Sequence, residues 1–381
     1  MKKKLMILLS YVLVATLAAA TATALTVRNM EYTKLEQLQD LIEERYIEEA
    51  DATALEDAAA EAMIAATGDR WSYYISAEEY ASYVERMENA YVGIGITIIV
   101  REDGSGMEVM EVNGDGPAME AGIQVGDVII GVEGQSVLGF TSTEVRNLVR
   151  GKEGTPVEIT LLRGEEEITL SVMRRQVKTV VATGTMLEDG VGLVTIVNFD
   201  DRCAEESIAA IESLLEQGAE KIIFDVRNNG GGYAHELVAL LDYLLPKGDL
   251  FRMEYYTGEQ EVDTSDAACL DIPMAVLVNG DSYSAAEFFA VALQEYEAAV
   301  VVGTPTSGKG YFQTTIHLLD GSAVSLSVGR YFTPNGVSLE GVGITPDVEA
   351  PVDQETELAI YYGQLEPLED PQIQAALEAL K

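Results

Sequence analysis

The sequence predicts an α/β protein, α+β overall, in which an N-terminal helical region precedes a layered α/β core with an inserted β-rich domain. Apolar strands and helices alternate from Lys178 onward, for example a strand at Val191–Val197 and a helix at Ala204–Gln217. Before this point, short apolar segments separated by Gly and Asp/Asn turns indicate a compact β domain. Leucines at three- and four-residue spacing near the N-terminus indicate helices.

Length and charge limit the classes of protein to which this chain can belong. Its 381 residues exceed one ordinary hydrophobic core, so two or three folded units are expected. The chain has 64 acidic and 24 basic residues, and its formal net charge is -40. No nucleic acid is expected as a partner, because phosphate contacts require clustered Lys and Arg. The acidity indicates solubility and says nothing about the fold.

The first residues have the pattern of an export signal. Three lysines at Lys2–Lys4 precede an uncharged run from Leu5 to Val27, which is long enough to cross a bilayer. Ala20-Thr21-Ala22 resembles a signal-peptidase site, so residues 1–28 are predicted to be a signal peptide or an uncleaved signal anchor. Positive charges before the run slightly favour the anchor. The body is expected to be exported, either anchored on the outer face of the cytoplasmic membrane or secreted or periplasmic.

A helical region is predicted at 29–88. Leu35, Leu38 and Leu41 recur at helical spacing, which is typical of packing against another helix or another subunit. This stripe leaves a homodimer open as the assembly. The remaining chain is predicted to divide into a β domain at 89–177, the α/β core at 178–352 and an acidic tail with short surface helices at 353–381.

The cysteine and histidine content argues against a metal enzyme. Cys203 and Cys269 lie far apart in sequence, so a single disulfide and two unpaired thiols both stay open. The only histidines, His235 and His317, have no metal-ligand spacing with the cysteines. No metal and no cofactor are expected.

A serine at the start of a predicted helix is the first candidate for chemistry. The strand Met274–Val278 ends in Asn279-Gly280-Asp281-Ser282-Tyr283-Ser284, and a helix is predicted from Ala285. Ser284 would then lie at the top of a sheet, with the amide of Ala285 directed at a developing oxyanion. Taken alone, such a serine is more commonly a helix N-cap.

A run of three glycines follows another predicted strand. Gly230-Gly231-Gly232 comes after Lys221–Val226 and would let the backbone approach a ligand closely. Taken alone, the run is interpreted more simply as a flexible strand-to-helix turn. A nucleotide site is not expected, because neither P-loop spacing nor the G-x-G-x-x-G pattern is present.

Lys309, between two glycines shortly after a predicted strand, is a candidate general base. A lysine can accept a proton only if its pKa falls from about 10.4 towards 7, and burial can supply that shift. Lys309 would then take the proton of Ser284 and return it to the leaving amine. Gln313, four residues further on, could hydrogen-bond the lysine amine and orient it. On spacing alone, a surface lysine in a turn is the simpler interpretation.

Together these segments resemble the carboxyl-terminal processing peptidases, also called tail-specific proteases. Lys309 follows Ser284 by 25 residues (309 − 284 = 25), and Gln313 follows Lys309 by four (313 − 309 = 4), as in that family. Further segments that match its motifs are Asp69–Tyr74, Phe224–Gly232, Tyr331–Gly336 and Gly341–Asp347.

The resemblance implies a serine endopeptidase whose core is of the ClpP/crotonase-like type. Ser284 would be the nucleophile, Lys309 the general base and Gln313 the group that orients the base. The amides of Ala285 and of one loop glycine, for which we choose Gly231, would bind the oxyanion.

Two positions depart from the family pattern. Ala286 stands where the family often has a second serine, and Ser307 where an aromatic residue commonly precedes Gly-Lys-Gly. Neither position is the nucleophile or the base, so the departures bear on substrate fit or rate rather than on mechanism. Gly230 and Gly232 stay open as alternatives to Gly231.

The β domain resembles a PDZ domain. Gly93-Ile94-Gly95-Ile96 matches the carboxylate-binding loop, whose amides would hold the terminal carboxylate of a peptide. The peptide would add as a strand beside Ile94–Ile98. The resemblance therefore implies proteins or peptides with accessible C-terminal tails as substrates, and a domain that gates the active site.

Two other functions stay open from the residues alone. A PDZ-based interaction or regulatory protein with an inactive protease core would bind tails without cutting them. A conventional Ser-His hydrolase would use His235 or His317, although His235 is interpreted more simply as a partly exposed helix residue.

Overall fold

The computed structural model describes residues 33–101 and 103–381. The predicted export segment at 1–28 lies outside the described residues. Within the described ranges, no helix is both long enough and apolar enough to cross a membrane. The chain divides into two compact units. One ends at Ser76 and also contains Ile316–Leu326, and the other comprises Ala77–Thr315 and Ser327–Lys381.

Between Thr33 and Ser76 the first unit contains α1 (Lys34–Arg45), α2 (Ala52–Ala65) and β1 (Tyr73–Ile75). Thr33 and Glu36 form a capping box at the start of α1, and the Asp51 side chain caps α2. β1 pairs antiparallel with residues 323–325. The hydroxyl of Tyr74 donates to Asp57 Oδ1 at 2.7 Å, which ties β1 to α2.

The second unit begins with α3 (Ala77–Met87) and continues into the β domain. The elements of the β domain are β2 (Ala90–Gly93), β3 (Ile96–Val100), β4 (Met107–Val112), α4 (Pro117–Ala121), β5 (Val128–Val132), β6 (Gln135–Ser136), α5 (Ser142–Val149), β7 (Pro156–Arg163), β8 (Glu166–Met173) and β9 (Arg175–Lys178). Its main sheet has the order β3-β4-β5-β7-β8, with β6 on β5, so β3 is an edge strand. β2 and β9 pair antiparallel, so the chain enters and leaves this domain along neighbouring strands.

The remaining elements form the α/β core, apart from their residues within Ile316–Leu326, which belong to the first unit. They are β10 (Ala182–Met186), β11 (Val191–Ile196), α6 (Cys203–Glu216), β12 (Lys221–Asp225), α7 (Ala234–Leu244), β13 (Gly248–Tyr255), β14 (Gln260–Ser265), β15 (Met274–Val278), α8 (Ala285–Glu295), β16 (Ala299–Gly303), β17 (Tyr311–His317), β18 (Ala323–Phe332), β19 (Val348–Glu349), α9 (Gln354–Tyr361) and α10 (Pro371–Ala379). The central sheet has the order β10-β11-β12-β15-β16-β19. All its neighbouring strands are parallel except β10 and β11. β13 pairs with β14 and with residues 329–332 of β18 in a separate antiparallel sheet.

The central sheet is buried on both faces, as its continuous apolar strands require. Phe224 of β12 packs into the cluster formed by α6, α7 and α8, which also contains Phe289. Ile223, the preceding residue, points to the opposite face and packs with Ile373 and Ala376 of α10. The fold is therefore layered, with helices on both faces of the parallel strands.

The structure corrects one prediction about the chain and decides between two alternatives that the sequence left open. The segment 353–381 was expected to be an acidic tail with surface helices, but α10 buries Ile373, Ala376 and Leu380 against the central sheet. Cys203 is buried and Cys269 is exposed, and both are free thiols, so no disulfide joins them.

The carboxyl ends of three neighbouring parallel strands support the segments that the sequence singled out. β12 precedes the glycine run, β15 precedes Ser284, and β16 precedes Lys309. Parallel strands end at the same edge of a sheet, which is the usual position of active sites in open α/β folds.

Candidate active site

Ser284 lies where β15 turns into α8, and its backbone is strained. Its dihedral angles are φ 58° and ψ -125°, a region that residues with a side chain rarely adopt. The strand and the helix that flank it are buried, so the surrounding structure can hold this conformation. Strain of this kind is typical of functional positions, and Ser284 is 8% exposed.

The glycine run packs directly against the candidate nucleophile. A methyl group placed on Gly231 would come 2.7 Å from Ser284 Cβ and 2.8 Å from the amide nitrogen of Ala285. A methyl group on Gly232 would come 2.2 Å from the carbonyl carbon of Phe199. Both glycines also have positive φ, so no other residue fits here.

The amide of Gly231, which we chose as an oxyanion donor, has another partner in this structure. It donates to Asn229 Oδ1 at 2.8 Å. The Asn229 side chain is buried and donates to the carbonyl oxygen of Ile196, so its amide is fixed in this orientation. In this conformation the choice of Gly231 is therefore not supported, and Gly230 and Gly232 stay as alternatives.

Hydrogen bonds join the serine loop to the glycine loop. Asn279 Oδ1 accepts from the amide of Asn228 at 2.9 Å, and Asn279 Nδ2 donates to Asn228 Oδ1 at 2.9 Å. Ser282 Oγ donates to the carbonyl of Val226 at 2.7 Å and accepts from the amide of Asn279. The amide of Tyr283 donates to the carbonyl of Asn229. These contacts fix the position of one loop on the other.

A Ser282→Ala variant should therefore lose both stability and turnover. The buried carbonyl of Val226 and the buried amide of Asn279 would each lose a partner, which costs about 1–3 kcal/mol in free energy of unfolding. We expect kcat to fall about 10-fold, because reacting groups tolerate little displacement. Urea unfolding and steady-state kinetics measure the two effects. The exposed Ser171→Ala is the control, and equal behaviour of the two variants would contradict this role.

Glu287, on the first turn of α8, binds the main chain of both candidate catalytic residues. Its Oε2 accepts from the amide of Ser284 at 3.0 Å and from the amide of Lys309 at 2.8 Å. Its Oε1 accepts from Thr306 Oγ1 and from the amide of Gly308. Burial raises the pKa of Glu287, and these four donors oppose that shift. One buried carboxylate thus connects the serine loop to the lysine loop.

The lysine loop is also held from the side of the Gly341–Asp347 motif. A methyl group on Gly308 would come 2.9 Å from the amide nitrogens of Val342 and Gly343, and one on Gly310 would come 2.6 Å from that of Glu340. The amide of Gly341 donates to the carbonyl of Gly308 at 2.9 Å. The family-like motif therefore shapes the turn that contains Lys309.

Two side chains near the predicted base, Tyr283 and Gln313, have defined contacts. Lys309 Nζ lies 5.7 Å from the ring centroid of Tyr283, within the range of a cation–π contact. Gln313 Nε2 donates to the carbonyl of Tyr311 at 3.2 Å and to Ser327 Oγ at 3.0 Å. A lysine ammonium only donates hydrogen bonds, so Gln313 can bind it only through the acceptor Oε1.

A small apolar pocket adjoins Ser284. Its walls come from the glycine loop, from α7 and α8, and from the antiparallel sheet. The lining residues are Gly232, Ala234, Leu237, Phe251, Ser284, Ala285, Phe288 and Tyr331. Its lining is mostly apolar, but its volume of about 10 Å³ is close to that of a single water molecule.

In the β domain, the predicted carboxylate-binding residues form the turn before the edge strand β3. Gly93 ends β2, Ile94 is buried, Gly95 has a φ of 76°, and Ile96 begins β3. Helix α5 packs near β3. An edge strand beside a helix is the arrangement that accepts a peptide by strand addition.

One group of potential metal ligands occurs among the described residues. Ligand atoms of Asp201, His235 and Glu236 lie within 4.8 Å of one another. The His235 side chain is 70% exposed, and Glu236 accepts hydrogen bonds from the amides of Arg202 and Ala204. Glu236 therefore caps α6, and the group gives no reason to assign a metal.

Sequence reasoning missed Glu287, Asn279 and Ser282. A signal for Glu287 was present, because a serine three residues before a glutamate at a helix start is the capping-box pattern. No comparable pattern marks the two loop residues, since their partners lie more than 50 positions away in the chain.

Comparisons with known proteins find similarity to peptidases and to PDZ domains. Residues 190–350 match the model of Peptidase family S41, and residues 108–163 match the model of a PDZ domain. Over 323 residues the chain is 34% identical to carboxy-terminal processing protease CtpA of Bacillus subtilis (strain 168), covering 84% of this chain and 69% of that protein.

Two further similarities complete the comparison. The chain is 32% identical to a probable CtpA-like serine protease of Staphylococcus haemolyticus (strain JCSC1435), covering 84% of this chain and 64% of that relative. The aligned region thus spans slightly less than two thirds of that relative. Among solved structures, photosystem II D1 C-terminal processing protease is 28% identical with a TM-score of 0.48, covering 85% of this chain and 89% of that chain.

Proposed function

Because this chain belongs to peptidase family S41, the family of carboxy-terminal processing proteases, we propose that it is a serine endopeptidase that cuts exported or unfolded proteins near their C-termini. The observation that supports this most directly is the buried Glu287 carboxylate. It accepts hydrogen bonds from the amides of Ser284 and Lys309, two residues that are 25 positions apart (309 − 284 = 25). Because both contacts are made by main-chain amides, they fix the loop of the candidate nucleophile to the loop of the candidate base.

In the proposed reaction, Lys309 removes the proton of Ser284 Oγ as the oxygen attacks the scissile carbonyl carbon. The amide of Ala285 and one amide of the glycine loop stabilise the negative oxygen. Lys309 then protonates the leaving amine as the C–N bond breaks. A water molecule hydrolyses the acyl-enzyme by the same steps and frees Ser284. Gln313 would orient the lysine through Oε1.

The PDZ domain is proposed to select the substrate by its tail. A C-terminal segment would pair with the edge strand β3, and its carboxylate would bind the amides of the turn at Gly93–Ile96. The apolar lining beside Ser284 would favour an apolar residue immediately before the cleaved bond only if the pocket widens when the substrate binds, because its volume here is about 10 Å³. Tail binding and cleavage would then use different parts of one substrate.

The test is a cleavage assay with an unstructured protein that ends in an apolar tail. We expect cleavage by the wild-type chain, none by Ser284→Ala, and at least about 10-fold slower cleavage when the tail is amidated or ends in aspartate. A Ser284→Ala variant that still cleaves would refute the proposed nucleophile. Equal rates for all tails would refute the role of the PDZ domain while leaving the protease assignment intact.

A second candidate is a PDZ-based interaction or regulatory protein with an inactive core. The observation that favours it is the amide of Gly231, which donates to Asn229 instead of pointing to a free oxyanion site. Tail binding by the wild-type chain without any turnover, under all conditions tried, would support this alternative.

The cellular setting stays a prediction from the sequence. Export, anchoring through residues 1–28 and self-association through Leu35, Leu38 and Leu41 rest on sequence patterns. These three leucines are about half exposed on α1, between 46% and 53%, so their side chains are accessible to a partner.

A further inference from the structure

A buried arginine follows β12 and stands four positions before Gly231. The Arg227 side chain is only 4% exposed. Its Nε and Nη2 donate to the two carboxylate oxygens of Asp225, at 2.9 and 2.5 Å. Its Nη1 lies 2.8 Å from Asp370 Oδ2 and donates to Gln372 Oε1 at 2.8 Å. A guanidinium buried in this way has a single defined position, because every contact is geometrically specific.

Two of these partners belong to the start of α10. Asp370 caps α10, since its Oδ1 accepts from the amides of Gln372 and Ile373. Gln372 Nε2 donates to the carbonyl of Ala350 at 2.7 Å, so this side chain is held at both ends. Both residues lie beyond the segment 190–350 that matches the protease family model. The contact with Arg227 therefore comes from a part of the chain outside that match.

The position of Arg227 affects the glycine loop through a short and well-connected backbone. The next residue, Asn228, has a φ of 58°, and its amide and side chain are both bound by Asn279. Asn229 in turn positions the amide of Gly231. The two residues between Arg227 and the glycine loop, Asn228 and Asn229, are thus both held by hydrogen bonds. A displacement of Arg227 would therefore move the glycines as well.

We propose that Arg227 is a positioning residue for the glycine loop (Gly230–Gly232) and that Asp370 and Gln372, at the start of α10, hold Arg227 in place. This inference rests on the proposed function and specifies how a helix on the opposite face of the sheet supports catalysis. Arg227 has two carboxylate partners, so loss of the Asp370 charge leaves it paired with Asp225 alone and removes its only ion pair with the start of α10. Without that pair, Arg227 would move away from its contacts with α10.

The test compares Asp370→Asn with Asp353→Asn. Asparagine can still cap a helix, so both variants keep the cap and lose a carboxylate charge. Only Asp370 contacts an arginine, whereas Asp353 is an exposed cap of α9. For Asp370→Asn we expect kcat to fall about 10-fold with KM within about twofold of wild type, as a misplaced oxyanion donor would cause. Asp353→Asn should match wild type.

A second readout separates positioning from general destabilisation. A peptide boronic acid forms a tetrahedral adduct with Ser284, whereas the unmodified peptide bound to a Ser284→Ala background reports ground-state binding. We expect Asp370→Asn to weaken boronate binding about 10-fold and to leave peptide binding unchanged. Gln372→Met removes an uncharged hydrogen-bond partner of the same arginine and should lower kcat about threefold. If Asp370→Asn does not fold, Gln372→Met takes its place in both measurements.

Wild-type kcat and boronate affinity in a folded Asp370→Asn variant would overturn this inference. So would a loss that affects boronate and peptide binding equally, because it would indicate a damaged substrate site rather than a misplaced loop. Either result leaves the proposed function standing, since that proposal fails only if Ser284→Ala retains cleavage or the wild-type chain has none.

Discussion

A Lys309→Met variant is expected to lose at least about 1,000-fold in kcat/KM while it unfolds at nearly the wild-type urea concentration. Methionine keeps the length and apolar body of the lysine side chain but cannot accept a proton from Ser284. The contacts that shape the loop are made by the main chain of Lys309 and its neighbours, so they survive the substitution. A large loss of rate with little loss of stability is the combination expected of a general base.

The control for this variant is Lys247→Met. Lys247 is exposed in the turn before β13, and its loss removes the same charge from the same unit of the chain. It should keep wild-type activity. If Lys309→Met cleaved the tailed substrate at more than about a tenth of the wild-type rate, Lys309 would not be the base. His235→Ala would then be the next variant to measure.

The positions of the candidate catalytic residues were predictable because each stands directly after an apolar strand. Ser284 and the run Gly230–Gly232 follow β15 and β12, which are neighbouring parallel strands. Parallel order brings their carboxyl ends to one edge of the sheet, so the two segments had to meet. Each segment taken alone favoured a structural interpretation, and the resemblance to the peptidase family joined them into one predicted site.

The orientation of individual amides was not predictable. The amide of Gly231 is bound by the side chain of Asn229, whose own orientation is set by the carbonyl of Ile196. That contact depends on how far β11 and β12 are shifted along each other, because Ile196 ends β11 and Asn229 follows β12. No periodicity or residue type in the sequence reports such a distance, and the choice among three glycines could not be settled from sequence.

For α10, the acidic composition and the spacing of the apolar residues point to different environments. The segment after Asp353 is acidic, which suggested a solvated tail. Yet Ile373, Ala376 and Leu380 stand three and four positions apart, the spacing of one helix face. The polar residues Asp370 and Gln372 are buried as well, because they pair with Arg227, which directly follows the central strand β12. A polar residue with a distant partner cannot be recognised as buried from sequence.

A Glu287→Gln variant is expected to show the largest combined loss of stability and activity. Four donors point at the two carboxylate oxygens, and a glutamine offers only one oxygen to them. Its NH₂ group would face two of those donors, leaving them unsatisfied in a buried site. We expect the free energy of unfolding to fall by about 2–4 kcal/mol, measured by urea titration.

The same substitution separates the serine loop from the lysine loop. The amides of Ser284 and Lys309 share one carboxylate oxygen, so rotation of the side chain affects both main chains together. We expect kcat to fall about 100-fold in the fraction that stays folded. The nucleophile and the base would lose the shared acceptor that holds their loops at a fixed separation. Glu205→Gln is the matched control, since Glu205 occupies the same third position of helix α6 but is exposed. A Glu287→Gln protein with wild-type kcat would mean that the two loops are aligned by their other contacts, and the carboxylate would then serve only to start α8.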